Sequence, residues 1–256
     1  MTPLLSIKNI SKTYGNHIGC RNISFDLFPG EVMGIVGESG SGKSTLLNCM
    51  AGRLEPDTGE VFFNTQTDGL RDILKMSEPE SRMLSRTDWA YVHQNARDGL
   101  RMGISAGGNM GERLMAVGDR HYGNIRAEAL SWLDKVEIAQ DRIDGRPTTF
   151  SGGMQQRLQI ARNLITSPRL VYMDEPTGGL DVSVQARLLD LIRSLVRELG
   201  LSAIIVTHDL AVVRLLADRL MVMKSGHVVE IGLTGQVLDD PQHAYTQLLV
   251  SSVLQV

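Results

Sequence analysis

The 256-residue sequence carries only two cysteines, Cys20 and Cys49, and only 5% aromatic residues. Two thiols cannot build a disulfide framework, a four-thiolate metal site or an iron–sulfur cluster, and their ordinary place is as buried, neutral groups. Long apolar runs are missing too. Stretches such as Ala203–Val206 end after a few positions, whereas a membrane-spanning helix needs about 20. The N-terminus has no basic segment followed by an apolar one, which argues against secretion and for a cytoplasmic protein. Nor is there an excess of one charge: the net charge is -3 with 21% charged residues. A nucleic-acid partner, which selects for a basic surplus, is therefore disfavoured. The six histidines (His17, His93, His121, His208, His227, His243) form no H-x-x-H or H-E-x-x-H pair, so the common zinc-hydrolase patterns are absent.

What is present is an α/β pattern. Short β-like runs over Leu5–Ile10 and Ile23–Leu27 close at the Pro29–Gly30–Glu31 turn and read as an antiparallel β edge. The apolar run Val32–Val36 reads as a buried parallel strand, with a helix from Ser44 after it. Leu170–Asp174 and Ala203–Thr207 are two more such strands, separated by a helix over 183–198 whose stripe is Val184, Leu188, Leu191 and Leu195. Residues 95–147 differ in composition and read as a helical insertion, with Leu130, Leu133 and Val136 on one helix face. Strands alternating with helices imply a parallel sheet whose ligands sit at the strands' carboxyl ends.

The chemistry is concentrated in a few motifs. Gly37–Glu38–Ser39–Gly40–Ser41–Gly42–Lys43–Ser44 fits G-x-x-x-x-G-K-[ST] between a strand and a helix. Glycines there let backbone N–H groups surround a phosphate, and the helix adds its positive end. Arginine outnumbers lysine 20 to 6, so a lysine in this loop stands out. Lys43 is expected to reach the β and γ phosphates and the Ser44 hydroxyl to ligate Mg²⁺. The Leu170 strand delivers Asp174, a candidate Mg²⁺ ligand, and Glu175, a candidate base for water. Ser151–Gly152–Gly153 then opens a helix through Leu164 and offers a second set of exposed N–H groups for an anion.

Together these motifs resemble the nucleotide-binding domain of the ABC ATPases over nearly the whole chain. The resemblance implies a P-loop NTPase with a RecA-like core (about 1–94 and 148–256), an antiparallel β edge and a helical subdomain (95–147), in one domain spanning 1–256. It implies that Tyr14 stacks on adenine, that Gly37 to Thr45 cradle the phosphates, and that Gln94 senses Mg²⁺. It also makes Glu175 the catalytic base, Asp181 part of a loop communicating across a dimer, and His208 a contact of the γ-phosphate. Ser151, Gly152 and Gly153 would cover ATP held by Lys43 of a second ABC domain, either another copy or a related subunit. Phe150 and Met154 depart from the Leu and Gln common at the ends of that signature.

Peripheral segments, including the tail Asp240–Pro241–Gln242–His243–Ala244–Tyr245–Thr246–Gln247–Leu248–Leu249, resemble the dipeptide and oligopeptide importer branch. The segment Asn95–Met102 departs from importer wording, and the chain closes without the importers' cysteine-bearing extension. Taken whole, the sequence is similar to ABC subunits of bacterial carbon–phosphorus lyase systems, used to break down phosphonates. That implies a soluble lyase core complex as partner; the importer resemblance implies membrane permease subunits instead.

Overall fold

The computed structural model describes residues 2–253. The chain begins with an antiparallel hairpin of β1 (Leu5–Tyr14) and β2 (His17–Leu27), turned at Gly15 with φ of 59°. The two expected runs are the buried ends of these longer strands; beyond them the polar positions are held by ladder pairing. Strand β3 (Val32–Val36) is buried at every position and leads through the glycine loop into α1 (Lys43–Met50). Strands β4 (Thr58–Thr65) and β5 (Gly69–Asp72) complete a four-stranded antiparallel sheet, ordered β2-β1-β4-β5. Cys20 on β2 and Cys49 on α1 are both buried and free. Their mutual hydrogen bond, with burial, pushes the Cys49 thiol up and keeps it protonated.

Helix α2 (Glu78–Thr87) crosses the boundary between two compact units, one of Met1–Ser81 with Gly200–Val256, the other Arg82–Leu199. In the second unit β6 (Trp89–Val92) pairs in parallel with β7 (Leu170–Asp174). The long crossover between them holds α3 (Ala96–Gly99), α4 (Ala106–Ala116), α5 (Tyr122–Lys135) and α6 (Gly152–Leu164); α7 (Val182–Leu199) follows β7. The expected helical segment thus exists and belongs to a larger compact unit. On α5 the inward face is Ile125, Ala129, Trp132 and Leu133, with Val136 at its end; Leu130, at the margin of that face, is half-buried.

The chain then returns to the first unit through β8 (Ser202–Val206), α8 (Leu210–Leu216), β9 (Arg219–Lys224), β10 (His227–Leu233), α9 (Thr234–Asp239) and α10 (Ala244–Val253). Strand β3 lies parallel to β8 on one side and β9 on the other, and β10 runs antiparallel to β9. Val36, Leu210, Val213, Val222, Val237 and Tyr245 share one apolar cluster there. No described helix is long and apolar enough to cross a membrane. Trp132 is fully buried and its Nε1 donates to Glu128 Oε1. Trp132→Ala is therefore expected to lower unfolding free energy by about 3–5 kcal/mol, measurable by urea denaturation.

Candidate active site

The phosphate loop is shaped by backbone contacts that exclude side chains. Gly37 has φ of 151°, and a Cβ there would lie 2.1 Å from the Met223 carbonyl oxygen of β9. Gly42 has φ of 99°, and its Cβ would lie 1.7 Å from the Gly19 carbonyl oxygen of β2. Only glycine tolerates both the angle and the approach. Lys43, 6% exposed, donates through Nζ to the Gly37 and Glu38 carbonyls at 2.8 Å each. Helix α1 has no side-chain cap and no acidic residue in its first turn, so no carboxylate there offsets the positive end of its dipole. Ser41 Oγ is buried without a hydrogen-bond partner. This amide-rich, cationic loop with an orphaned hydroxyl fits a phosphate chain. Ser44 is exposed in the first turn of α1.

Two further expected residues lie in the same unit. Tyr14, 49% exposed, ends β1; its ring and the Thr45 methyl both press on Gly19, where a Cβ would meet them at 3.0 and 2.8 Å. The end of β1 is held by Asp57, which accepts from Lys12 Nζ at 2.8 Å and from Thr13 N and Oγ1 at 2.7 Å. These bonds, led by that from Lys12, lower the Asp57 carboxyl from 3.8 to about 2. His208 is exposed just beyond β8, where Thr207 N donates to Ile35 O near the carboxyl end of β3.

The second unit holds the remaining candidates. Asp174 ends β7 half-buried, accepting from Tyr91 Oη at 3.4 Å. Glu175 follows with φ of 43°, a left-handed backbone that non-glycine residues adopt rarely and that marks strained functional turns. Gln94 is exposed, and its side-chain amide packs on Gly178, in the turn where Gly178 N donates to Glu175 O at 2.9 Å. Gln94 and the Asp174–Glu175 turn are thus neighbours. Within this unit Gln94 and Asp174, and in the first unit Ser44, each carry an oxygen of the hard kind that Mg²⁺ takes.

Ser151 caps α6, its Oγ accepting from Met154 N at 3.3 Å. Gly152 meets Leu180 and Gly153 meets Val184, where a Cβ would approach the valine side chain to 2.6 Å. Gly153 therefore serves packing against α7 as well as backbone exposure. Asp181 is exposed, and its carbonyl accepts from Val184 N and Gln185 N as α7 begins. Phe150 is buried with the Arg142 guanidinium 5.0 Å from its ring centroid, so this departure in the signature fills a core position.

The ABC transporter family model matches residues 20–178. The chain belongs to this family. It is an ABC ATPase. Across 253 residues, 99% of this chain and 98% of the relative, it is 65% identical to "Putative phosphonates utilization ATP-binding protein PhnK" of Escherichia coli K12. It is 38% identical to the dipeptide transport ATP-binding protein DppD of Bacillus subtilis 168, over 99% of this chain and 77% of that one. Among solved structures, a dimeric post-hydrolysis state of the ATP-binding cassette MJ0796 bound to ADP and Pi superposes with a TM-score of 0.80 at 29% identity. The match covers 90% of this chain and 98% of that one. The fold is accordingly that of an ABC cassette.

Sequence reasoning overlooked a buried glutamine pair in this ABC ATPase. Gln159 Oε1 accepts from His93 N at 2.7 Å, and Gln156 and Gln159 both donate to His93 O, at 3.2 and 3.1 Å. They tie the signature helix α6 to the peptide immediately before Gln94. The Q-Q-R-L-Q run, which sets Gln156 and Gln159 three positions apart on one side of the helix, was the available signal.

Two predictions follow from this geometry. Gly42→Ala is expected to reduce ATP affinity at least about tenfold, since the loop must leave its seat on β2, with the circular dichroism spectrum retained. For Asp57 the folded pKa lies below the unfolded one, so its stabilisation is complete above about pH 4 and lost as pH falls through about 2. An NMR titration giving Asp57 an ordinary carboxylate pKa would contradict the bonding described.

Proposed function

We propose that this ABC ATPase binds and hydrolyses ATP as half of a head-to-tail pair and drives rearrangement of a carbon–phosphorus lyase complex during phosphonate breakdown. The observation that carries the pathway reading is the 65% identity to PhnK over nearly the whole of both chains. The dimeric, ADP- and Pi-bound state of MJ0796 supports a pair that closes on nucleotide.

In this reading Tyr14 stacks on adenine, and the amides of Gly37 to Thr45 (Gly37, Glu38, Ser39, Gly40, Ser41, Gly42, Lys43, Ser44, Thr45) hold the phosphates. Lys43 offsets charge that develops on the β and γ oxygens. Mg²⁺, taken by Ser44, Asp174 and Gln94, neutralises the phosphates when bound. Glu175 orients the attacking water and accepts its proton, and His208 donates to the γ-phosphate. Ser151, Gly152 and Gly153 of a second ABC domain cover the same nucleotide, with Asp181 at the junction. ATP binding closes the pair and hydrolysis reopens it.

Glu175→Gln should retain ATP binding, lose at least about a hundredfold in turnover and accumulate an ATP-bound dimer on size exclusion. Unchanged turnover would remove Glu175 from the chemistry. Turnover should also rise more steeply than linearly with protein concentration, and a strictly linear dependence would rule out the shared site.

A second reading, the energising subunit of a dipeptide-, nickel- or phosphonate-type importer, is favoured by the 38% identity to DppD. Pull-down from cells grown on phosphonate separates the two: soluble lyase proteins support the first, membrane permease subunits the second.

A further inference from the structure

The tail motif around Tyr245 has no part in the function just proposed, yet it reaches the phosphate loop. Tyr245 lies in the first turn of α10 and is 5% exposed. Its hydroxyl accepts from Glu38 N at 3.1 Å. Burial pushes the phenol up, so it stays protonated. The ring is fixed on two sides. It packs with Val36, the residue before the loop, and the Lys224 ammonium lies 4.7 Å from its centroid.

The start of α10 is held independently of the loop. The Glu230 carboxylate on β10 accepts from Gln242 N at 2.8 Å and His243 N at 3.0 Å, and His243 Nδ1 accepts from Tyr245 N at 3.1 Å. Tyr245 is thus a rigid post, with its hydroxyl on a peptide that has a second task. The carbonyl of that same Gly37–Glu38 peptide, Gly37 O, receives Lys43 Nζ at 2.8 Å, as does the next carbonyl, Glu38 O, at 2.8 Å.

We propose that Tyr245 is a positioning residue for ATP binding: its hydroxyl fixes the Gly37–Glu38 peptide at its N–H, and through the Gly37 carbonyl of that same planar peptide it sets the direction of the Lys43 ammonium. Tyr245 touches no phosphate itself. Loss of the hydroxyl frees the Gly37–Glu38 peptide to rotate, and the ammonium loses a carbonyl that aims it. This inference rests on the reading of Lys43 as a phosphate ligand.

The test uses the full chain with three variants, Tyr245→Phe, Tyr245→Ala and Lys43→Ala, measuring ATP binding by equilibrium dialysis, steady-state hydrolysis and melting temperature. Tyr245→Phe keeps the ring and its packing; it is expected to raise Kd and KM for ATP about five- to tenfold while kcat changes less than about twofold. A purely structural role would move kcat and the melting temperature and leave KM in place. The proposal is overturned if Tyr245→Phe binds ATP like the native chain, including the case where only Tyr245→Ala fails, through lost stability. Lys43→Ala separates the two layers. If it binds ATP normally, the phosphate-loop reading fails and this inference with it; if it loses ATP while Tyr245→Phe does not, only the inference fails.

Discussion

A buried ammonium must be met by oxygen at short range, and Lys43 imposes that demand on the first unit. The carbonyls of Gly37 and Glu38 converge on its Nζ, which requires the backbone after β3 to curl more tightly than residues with a Cβ allow. The curl in turn presses Gly37 against the Met223 carbonyl and Gly42 against that of Gly19. At these two glycines the neighbours are backbone, from β9 and β2, held in place by hydrogen-bonded strands rather than by adaptable side chains. Strand β3 sits between β8 and β9 in parallel pairing, and this places the loop at a carboxyl edge, where ligands of parallel sheets bind.

The second unit solves a similar problem with side chains. Gln156 and Gln159 are buried, and a buried amide is stable only when its donors and acceptors are met. The His93 peptide meets them, so the backbone leading to Gln94 and the helix opened by Ser151 share one hydrogen-bond set. Gly99 allows that arrangement, because a Cβ there would fall 2.2 Å from Gln159 Oε1. Close contacts on both faces of α6, at Gly153 with α7 and at Gln159 with Gly99, leave this helix little freedom to shift alone.

The sequence made the apolar strands and the phosphate loop legible for a physical reason. Strand β3 and nearly all of β7 are uninterrupted hydrophobic runs because both faces are covered, and the loop's glycine spacing is itself the record of its backbone angles. Strands β4 and β5 went unread, since half-exposed strands with polar residues resemble loops until a partner strand is known. On α5, Leu133 and Val136 lie on the buried face as read, while Leu130 is half-buried and Trp132 went unread. Asp57, the Gln156–Gln159 pair and Tyr245 are polar residues whose partners lie on separate elements, and local pattern carries no record of such pairings. Phe150 illustrates the reverse: an unusual letter in a motif became ordinary once its buried position was known.

The two thiols add a practical property. Cys20 and Cys49 have no exposed surface and are held against one another between a strand and a helix, so reagents that seek a surface thiolate find none in the folded chain. The protein is in effect already free of background reactivity. A single cysteine placed at an exposed site such as Ser151 or Val182 would be the one labelled position, and spectroscopic probes could follow motion of the signature helix or of α7 without altering the native thiols.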